Sequence, residues 1–369
     1  MRIDSLTFVN YRNIRFAELN PSSGVNLIYG DNAQGKTNLV EGIWLLSGER
    51  PFRFGKDSDL IYLQMDRETE RTLLHTELWS QQRQQQIEIR LYPKKQYLLN
   101  EIGLSSRMGL AGVLGCVVFS PVHLSLIQAG PAVRREFIDT AICQLKPQYA
   151  KVLADYQRVL TQRASLLREV SRHRYLLDTL DIWDSHLVRL GKLIITTRHT
   201  YLKRLERFAA VFHAGISGEK EQLQITYLCS GVHPEQEEQD IAAQLRCCLT
   251  EAREEDIRTA SNTVGPHRDD INILLNGLSA RSFGSQGQQR SAVLSLKLAE
   301  CELMQELMQE PPVVLLDDVM SELDRGRREY LLQKMGQRQV FITACDDSLL
   351  QEAAGARLFY VKDGQIIQK

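Results

Sequence analysis

An eight-residue string near the start of the chain constrains its fold more than any other feature. Gly30-Asp31-Asn32-Ala33-Gln34-Gly35-Lys36-Thr37 fits G-x-x-x-x-G-K-[ST], and it stands between a short apolar run, Val25–Tyr29, and a segment of helical spacing, Thr37–Leu46. Strand, glycine-rich turn and helix in that order form a phosphate cradle. The glycines let the backbone bend so that successive N–H groups converge on phosphate oxygens, and the helix starting near Gly35 aims the positive end of its dipole at them. Lys36 is placed to reach the β- and γ-phosphates of ATP, and the Thr37 hydroxyl to bind Mg²⁺. Asn38 completes the expected ATP-binding stretch, and Arg12, which follows the first strand, is placed to approach the same phosphates.

A second element supplies the metal and water end. Pro311-Pro312-Val313-Val314-Leu315-Leu316-Asp317-Asp318 reads as a buried strand ending in two carboxylates. Taken alone, such a pair could simply cap a helix. Beside a P-loop, Asp317 is placed to hold Mg²⁺ directly or through water, and Asp318 to orient or deprotonate the attacking water. Lys36 and Asp318 are therefore the expected catalytic pair.

Gly284-Ser285-Gln286-Gly287-Gln288-Gln289-Arg290 opens a strongly helical stretch and makes another anion-binding helix start. In this order it resembles the signature motif of ABC-type ATPases, and Ser321-Glu322-Leu323-Asp324, after the acid pair, resembles their D-loop. The resemblance implies that Ser285, Gly287 and Gln288 meet the γ-phosphate held by a second copy, and that Ser321 and Asp324 cross the interface. A two-fold, ATP-dependent homodimer follows.

The rest of the chain sets the architecture. Leu73–Trp79, Ile87–Leu91, Tyr97–Leu99 and Val113–Phe119 read as strands, whereas from Tyr149 to Val170 and from Leu187 to Phe212 apolar residues recur at three- and four-residue spacing. With a polar break at Ser171–Arg174, these make two antiparallel helices of roughly 30–45 Å each. The expected fold class is α/β: an ABC-type P-loop head with an inserted antiparallel helical lobe. Its expected parts are an N-terminal ATPase segment (1–121), the helical insert (122–217) and a C-terminal ATPase segment (218–369). The seven cysteines form no C-x-x-C pair and read as free thiols of a reducing compartment, no apolar run approaches a membrane span, and the N-terminus has no signal-peptide layout. A cytoplasmic protein is expected.

Net charge is −1, but residues 131–207 hold 15 Lys and Arg against 8 Asp and Glu. The positive excess, with Arg158, Arg172, Arg174, Arg198, Lys203 and Arg207 among its members and Tyr156, Tyr175 and Tyr201 interleaved, suits nucleic-acid phosphates. It equally suits a solvated basic face with core tyrosines. The acidic stretch Glu235–Asp256 reads as a solvated helix, and His267 has no assigned role.

Gly130-Pro131 with Arg134-Arg135-Glu136-Phe137-Ile138-Asp139, and Gly265-Pro266-His267-Arg268-Asp269-Asp270, together with the motifs above, resemble the RecF family of bacterial DNA replication and repair proteins over essentially the whole chain. Val122 and Ala129 depart from the family pattern, outside the ATP motifs. The resemblance implies an SMC-like ABC ATPase that dimerises with ATP and binds double-stranded and gapped DNA at single-strand/double-strand junctions. It implies that the protein works with RecO and RecR to load RecA, supporting recombinational repair and the SOS response. Slow, switch-like ATP hydrolysis is expected, and Arg134, Arg135, Arg163, Arg168 and Arg204 are the expected DNA contacts. Two other classes were weighed. A transporter's ATP subunit would carry a shorter insert and a membrane-coupling helix; an architectural SMC protein would need hundreds of coiled-coil residues.

Overall fold

The computed structural model describes residues 1–51, 56–170, 174–345 and 355–368. Two compact units divide the chain: Met1–Ser125 with Val293–Lys369, and Leu126–Ala292.

The first unit opens with β1 (Arg2–Tyr11), β2 (Ile14–Leu19), β3 (Val25–Tyr29) and α1 (Lys36–Leu46). Next come β4 (Thr72–Ser80), β5 (Arg83–Tyr92), β6 (Gln96–Leu99), β7 (Ile102–Leu104), β8 (Cys116–Phe119) and the short α2 (Pro121–Leu124). The second unit holds α3 (Pro131–Leu145), α4 (Pro147–Val170), α5 (Leu177–Ser217), β9 (Leu223–Leu228), α6 (Glu238–Glu251), α7 (Arg253–Thr259), β10 (Asp270–Leu275), β11 (Leu278–Ser279) and α8 (Ala280–Phe283). The divide falls within α9 (Gln286–Met308), after which β12 (Val313–Leu316), α10 (Arg325–Met335), β13 (Val340–Ala344), β14 (Arg357–Lys362) and β15 (Gln365–Gln368) complete the first unit.

Two six-stranded sheets form that first unit. One is antiparallel, ordered β2-β1-β4-β5-β6-β7; the other is ordered β15-β14-β3-β13-β12-β8, parallel except for β15. Their sequences differ as their surroundings require. β4 alternates buried and half-exposed residues because one face of an antiparallel sheet meets the core, whereas β12 and β13 are buried at every position, as central parallel strands are. Helix α1 is buried from Leu39 to Leu46, on all sides, and contacts β13 of one sheet and β4 and β5 of the other. Gly42 is what lets it seat: a Cβ there would stand 2.7 Å from the Phe8 ring of β1.

One ionisable group in this core yields a pH prediction. Burial pushes the Glu49 carboxyl up to about 7, against the opposing pull of Arg107. A carboxyl whose folded pKa is raised holds its proton better folded than unfolded, so stability falls as pH rises from about 4.5 through about 7. Glu49→Gln is expected to raise the melting temperature at pH 8 and to leave it nearly unchanged at pH 4.5, which melts at the two pH values would read directly.

In the second unit α4 and α5 run antiparallel. Arg163 meets Asp184 near their connection, and Tyr149 meets Arg198 through Asp139 further away. The second helix is longer than its apolar stripe suggested: 41 residues, about 60 Å at 1.5 Å per residue. It ends where Gly218 adopts φ +63° and Glu219 N–H bonds back to the Ala214 carbonyl. The compact unit also extends beyond residue 217, to Ala292. Strand β9 pairs with β10 and packs on α5, while α3 packs on β10, so the sheet β11-β10-β9 belongs with the helices. The acidic stretch Glu235–Asp256 is helical from Glu238, in α6 and α7, but it is not solvated throughout: Ile241, Leu245 and Leu249 are buried, and Asp256 is fully buried against Arg163.

Candidate nucleotide site and basic helical unit

The cradle is built at the end of β3. Gly30 leaves the strand with φ +149°, and the Val361 carbonyl lies 2.2 Å from where a Cβ would stand, so no other residue fits. Ala33 is left-handed at φ +63°, and Gly35, at φ +114°, is the residue on which α1 begins. Asn13 braces the loop from beneath. Its Nδ2 donates to the Gln34 carbonyl at 2.9 Å, and its Oδ1 accepts from Asn38 Nδ2 at 2.8 Å. The β14–β15 turn closes the other side, with Gly364 N–H donating to the Gln34 carbonyl at 3.1 Å and Asp363 N–H to Gln34 Oε1 at 2.5 Å. Asp31, Asn32 and Ala33 are exposed, and Thr37 is half-buried. The Lys36 ammonium is buried and donates to the carbonyls of Gly30 (2.7 Å) and Asp31 (2.8 Å).

Arg12 takes part in a different way from the one its position suggested. Its guanidinium pairs with Glu41 of α1 at 2.9 Å and donates to the Asp59 carbonyl, while Tyr11 O–H donates to the same carboxylate. Arg12 thereby ties β1 to the helix that carries Lys36.

The acids arrive beside the cradle because β13 separates β12 from β3 in the sheet. Thr343 of β13 joins both. Its Oγ1 accepts from the Asp318 backbone N–H at 2.8 Å and lies 3.1 Å from Asp317 Oδ1. Asp317 is buried; Asp318, half-buried, is left-handed at φ +52°. Cys345 then bridges the two motifs: its thiol donates to Asn32 Oδ1 at 2.9 Å and sits 3.6 Å from Asp318 Oδ1. Burial and Asp318 push that thiol up, with Lys36 pulling the other way, so it stays protonated as a donor. In the sequence Cys345 is one thiol among seven. A threonine closing an apolar strand carries no signal until the strand order is known.

This donor set fits a triphosphate: a buried ammonium, a run of exposed backbone around Asn32, and a helix start. Among the described residues no group of three or more His, Cys, Asp or Glu side chains could hold a metal ion by itself. A divalent cation here would be held by the Thr37 hydroxyl, Asp317 and the phosphates themselves. In the D-loop segment, Ser321 Oγ donates to the Asp318 carbonyl at 2.9 Å, and Asp324 caps α10 by accepting from Arg327 N–H.

The signature residues lie in the second unit, at the start of α9. Ser285 and Gln288 close a reciprocal cap: Ser285 N–H donates to Gln288 Oε1 at 2.8 Å, and Gln288 N–H to Ser285 Oγ at 3.3 Å. Gly287 is half-buried in the same turn.

The arginines expected to touch DNA divide sharply. Arg134 and Arg163 are corrected: both are buried, Arg134 in a two-pronged pair with Asp270 and Arg163 between Asp184, Asp256 and Asn262. A buried, paired guanidinium cannot meet a phosphate. Arg198 is likewise buried against Asp139, and Arg135 donates to the Asp269 carbonyl. Arg168, Arg207, Lys203 and Arg158 are exposed, and Arg204 is half-exposed; Arg172 and the side chain of Arg174 lie outside the described residues. Tyr156 and Tyr201 are core residues, whereas Tyr175 is 74% exposed. His267 belongs to the core network: its ring meets Tyr156 O–H at 3.1 Å and the Asn262 carbonyl at 3.0 Å, and burial lowers it to about 4, which keeps it neutral.

A P-loop at the end of one parallel strand and an acid pair at the end of the next but one define a P-loop ATPase. The family model for the RecF/RecN/SMC N terminal domain matches residues 2–367. The chain belongs to the RecF family of DNA replication and repair proteins. It is 39% identical to DNA replication and repair protein RecF of Acetivibrio thermocellus, covering 98% of each chain, and 37% identical to that of Ruminiclostridium cellulolyticum, covering 99% of each. A solved structure of the recombination mediator protein RecF of the RecFOR pathway, described as RecF-ATP, matches with a TM-score of 0.91 at 37% identity, over 100% of this chain and 97% of that one. An Smc head domain from Pyrococcus furiosus, 16% identical with a TM-score of 0.57 over 100% of this chain and 96% of that one, shares the fold. Among the described residues no helix is long and apolar enough to cross a membrane.

Proposed function

We propose that this chain is an ATP-dependent recombination mediator. It binds ATP in the cradle of residues 30–38, pairs with a second copy, and holds double-stranded or gapped DNA near a single-strand/double-strand junction. In this reading it acts with RecO and RecR to place RecA on gapped DNA. One observation carries the proposal: the P-loop with Lys36 and the acids Asp317 and Asp318 follow β3 and β12, next but one to each other in one sheet, in a chain 37% identical over its whole length to a RecF solved with ATP.

The chemistry follows from the residues. Lys36 trades its two loop carbonyls for phosphate oxygens and neutralises their charge. Thr37 and Asp317 would hold Mg²⁺ together with the phosphates, and the cation would supply charge neutralisation there. Asp318 orients the attacking water, its backbone N–H fixed by the Thr343 hydroxyl oxygen. Ser285 and Gly287 of the second copy close the site over the γ-phosphate. Arg168, Arg207 and Lys203 are the exposed cations of α4 and α5 best suited to DNA phosphates, and they would make binding salt-dependent.

Light scattering with and without ATP–Mg²⁺, and with a gapped duplex in parallel, tests the reading. A monomer is expected to become a dimer with ATP and to retain the duplex. Asp318→Asn is expected to keep ATP binding, lower turnover by about 10²-fold or more, and accumulate the DNA-bound dimer. A protein that binds ATP but never pairs and ignores the duplex would refute the mediator reading.

A further inference from the structure

The signature turn is not held by its own helix alone. Gln288, whose Oε1 accepts from Ser285 N–H, uses its Nε2 to donate to Glu221 Oε1 at 2.7 Å. Glu221 lies in the connection between α5 and β9, so the contact spans 67 residues of sequence. The other oxygen of Glu221 is engaged too: Oε2 lies 3.0 Å from Nε2 of His213, in the last turns of α5. His213 is fully buried, and its ring also meets the backbone of Ser291, one turn into α9. Burial pushes this imidazole down from its usual range, while Glu221 and the Ser291 backbone pull it up.

Ser285, Gln288, Glu221 and His213 thus form one chain of hydrogen bonds from α5 to the start of α9. Each link fixes the next. His213 leaves Glu221 one free direction, Glu221 aims the Gln288 carboxamide so that its oxygen faces back, and that oxygen fixes the Ser285 amide. Glu221, at 18% exposure, is a carboxylate of the sign that a helix start favours, and both of its oxygens are engaged, one by Gln288 and one by His213.

We infer that Glu221 is a positioning residue for the signature turn, holding Gln288 and through it Ser285 in the orientation that engages the partner's nucleotide, with His213 anchoring Glu221 to α5. The inference rests on the proposed role of the signature in the ATP-bound dimer. It adds that α5, the helix carrying much of the exposed positive charge, shares a hydrogen-bonded link with that signature.

The test compares Glu221→Ala, Glu221→Gln, His213→Asn and Ser285→Arg in the full chain. Affinity for a fluorescent ADP is measured at concentrations too low for pairing, and ATP-dependent dimerisation is followed by light scattering. ADP affinity is expected to stay within twofold in all four, because the cradle is built by other residues. Glu221→Ala is expected to raise the concentration needed for dimerisation about tenfold, as loss of one charge-assisted hydrogen bond implies. Glu221→Gln keeps an acceptor oxygen for Gln288 and is expected to stay within about threefold of the wild type. A purely structural carboxylate would not be rescued this way. His213→Asn is expected to shift dimerisation in the same direction as Glu221→Ala and decides the matter if that variant does not fold. Wild-type dimerisation in both, with Ser285→Arg defective, overturns the inference alone. Wild-type dimerisation in Ser285→Arg overturns the signature reading beneath it.

Discussion

Lys36→Ala is expected to abolish nucleotide binding at micromolar concentrations and, with it, ATP-driven pairing and turnover. The ammonium is buried and lies against the carbonyls of Gly30 and Asp31, so the loop is already shaped around a cation. Exchanging those carbonyls for phosphate oxygens costs little reorganisation. Removing one partner of such a desolvated charge contact costs about 2–5 kcal/mol, roughly 30- to 4,000-fold in affinity. The same truncation leaves two carbonyls to water, a stability loss of about 1 kcal/mol. A nucleotide titration beside a thermal melt separates the two effects. A variant that melts within a few degrees of the wild type yet no longer binds nucleotide meets the expectation; wild-type affinity would remove Lys36 from the site.

Arg163→Ala is expected to have the largest effect on stability of any single arginine change in the second unit. The side chain is fully buried and donates to Asp184 at 2.7 Å, to Asp256 at 2.6 Å and to Asn262 at 2.8 Å. Asp256 is itself fully buried and also accepts from the backbone and hydroxyl of Thr263. Deleting the guanidinium strands a buried negative charge, which costs about 3–5 kcal/mol and lowers the melting temperature by roughly 10 °C. Arg163→Lys, which keeps the charge but not the fork, is expected to fall between. Affinity of the folded protein for duplex DNA is expected to be unchanged in either variant. A large loss of DNA affinity with an unchanged melt would return Arg163 to the surface role that its place in the sequence suggested.

That contrast shows where sequence reading runs out. Arg163 and Arg168 sit on the same helix in the same basic stretch, yet one is fully buried and the other exposed. Helical spacing puts Arg163 in line with the buried Tyr156, Leu160, Leu167 and Val170 and leaves Arg168 off that stripe, but the carboxylates that pair Arg163 lie 21 and 93 residues away, beyond any local signal. Asn13 is similar: it shares the Gln34 carbonyl with Gly364, brought in by the last hairpin.

The elements whose physics is local were legible in the sequence. The apolar run Val25–Tyr29, the G-x-x-x-x-G-K-T turn and the buried strand ending at Asp317 needed only period, composition and turn chemistry, and they carried the P-loop head and its two acids. Strand order, the sheet joined by β9, the exposure of each arginine, and the links Asp318–Thr343 and Gln288–Glu221 were decided by tertiary structure. The reason is physical: backbone geometry repeats over a few residues, so its signals lie in short windows, whereas burial and hydrogen-bond partnership are properties of distant segments meeting in space.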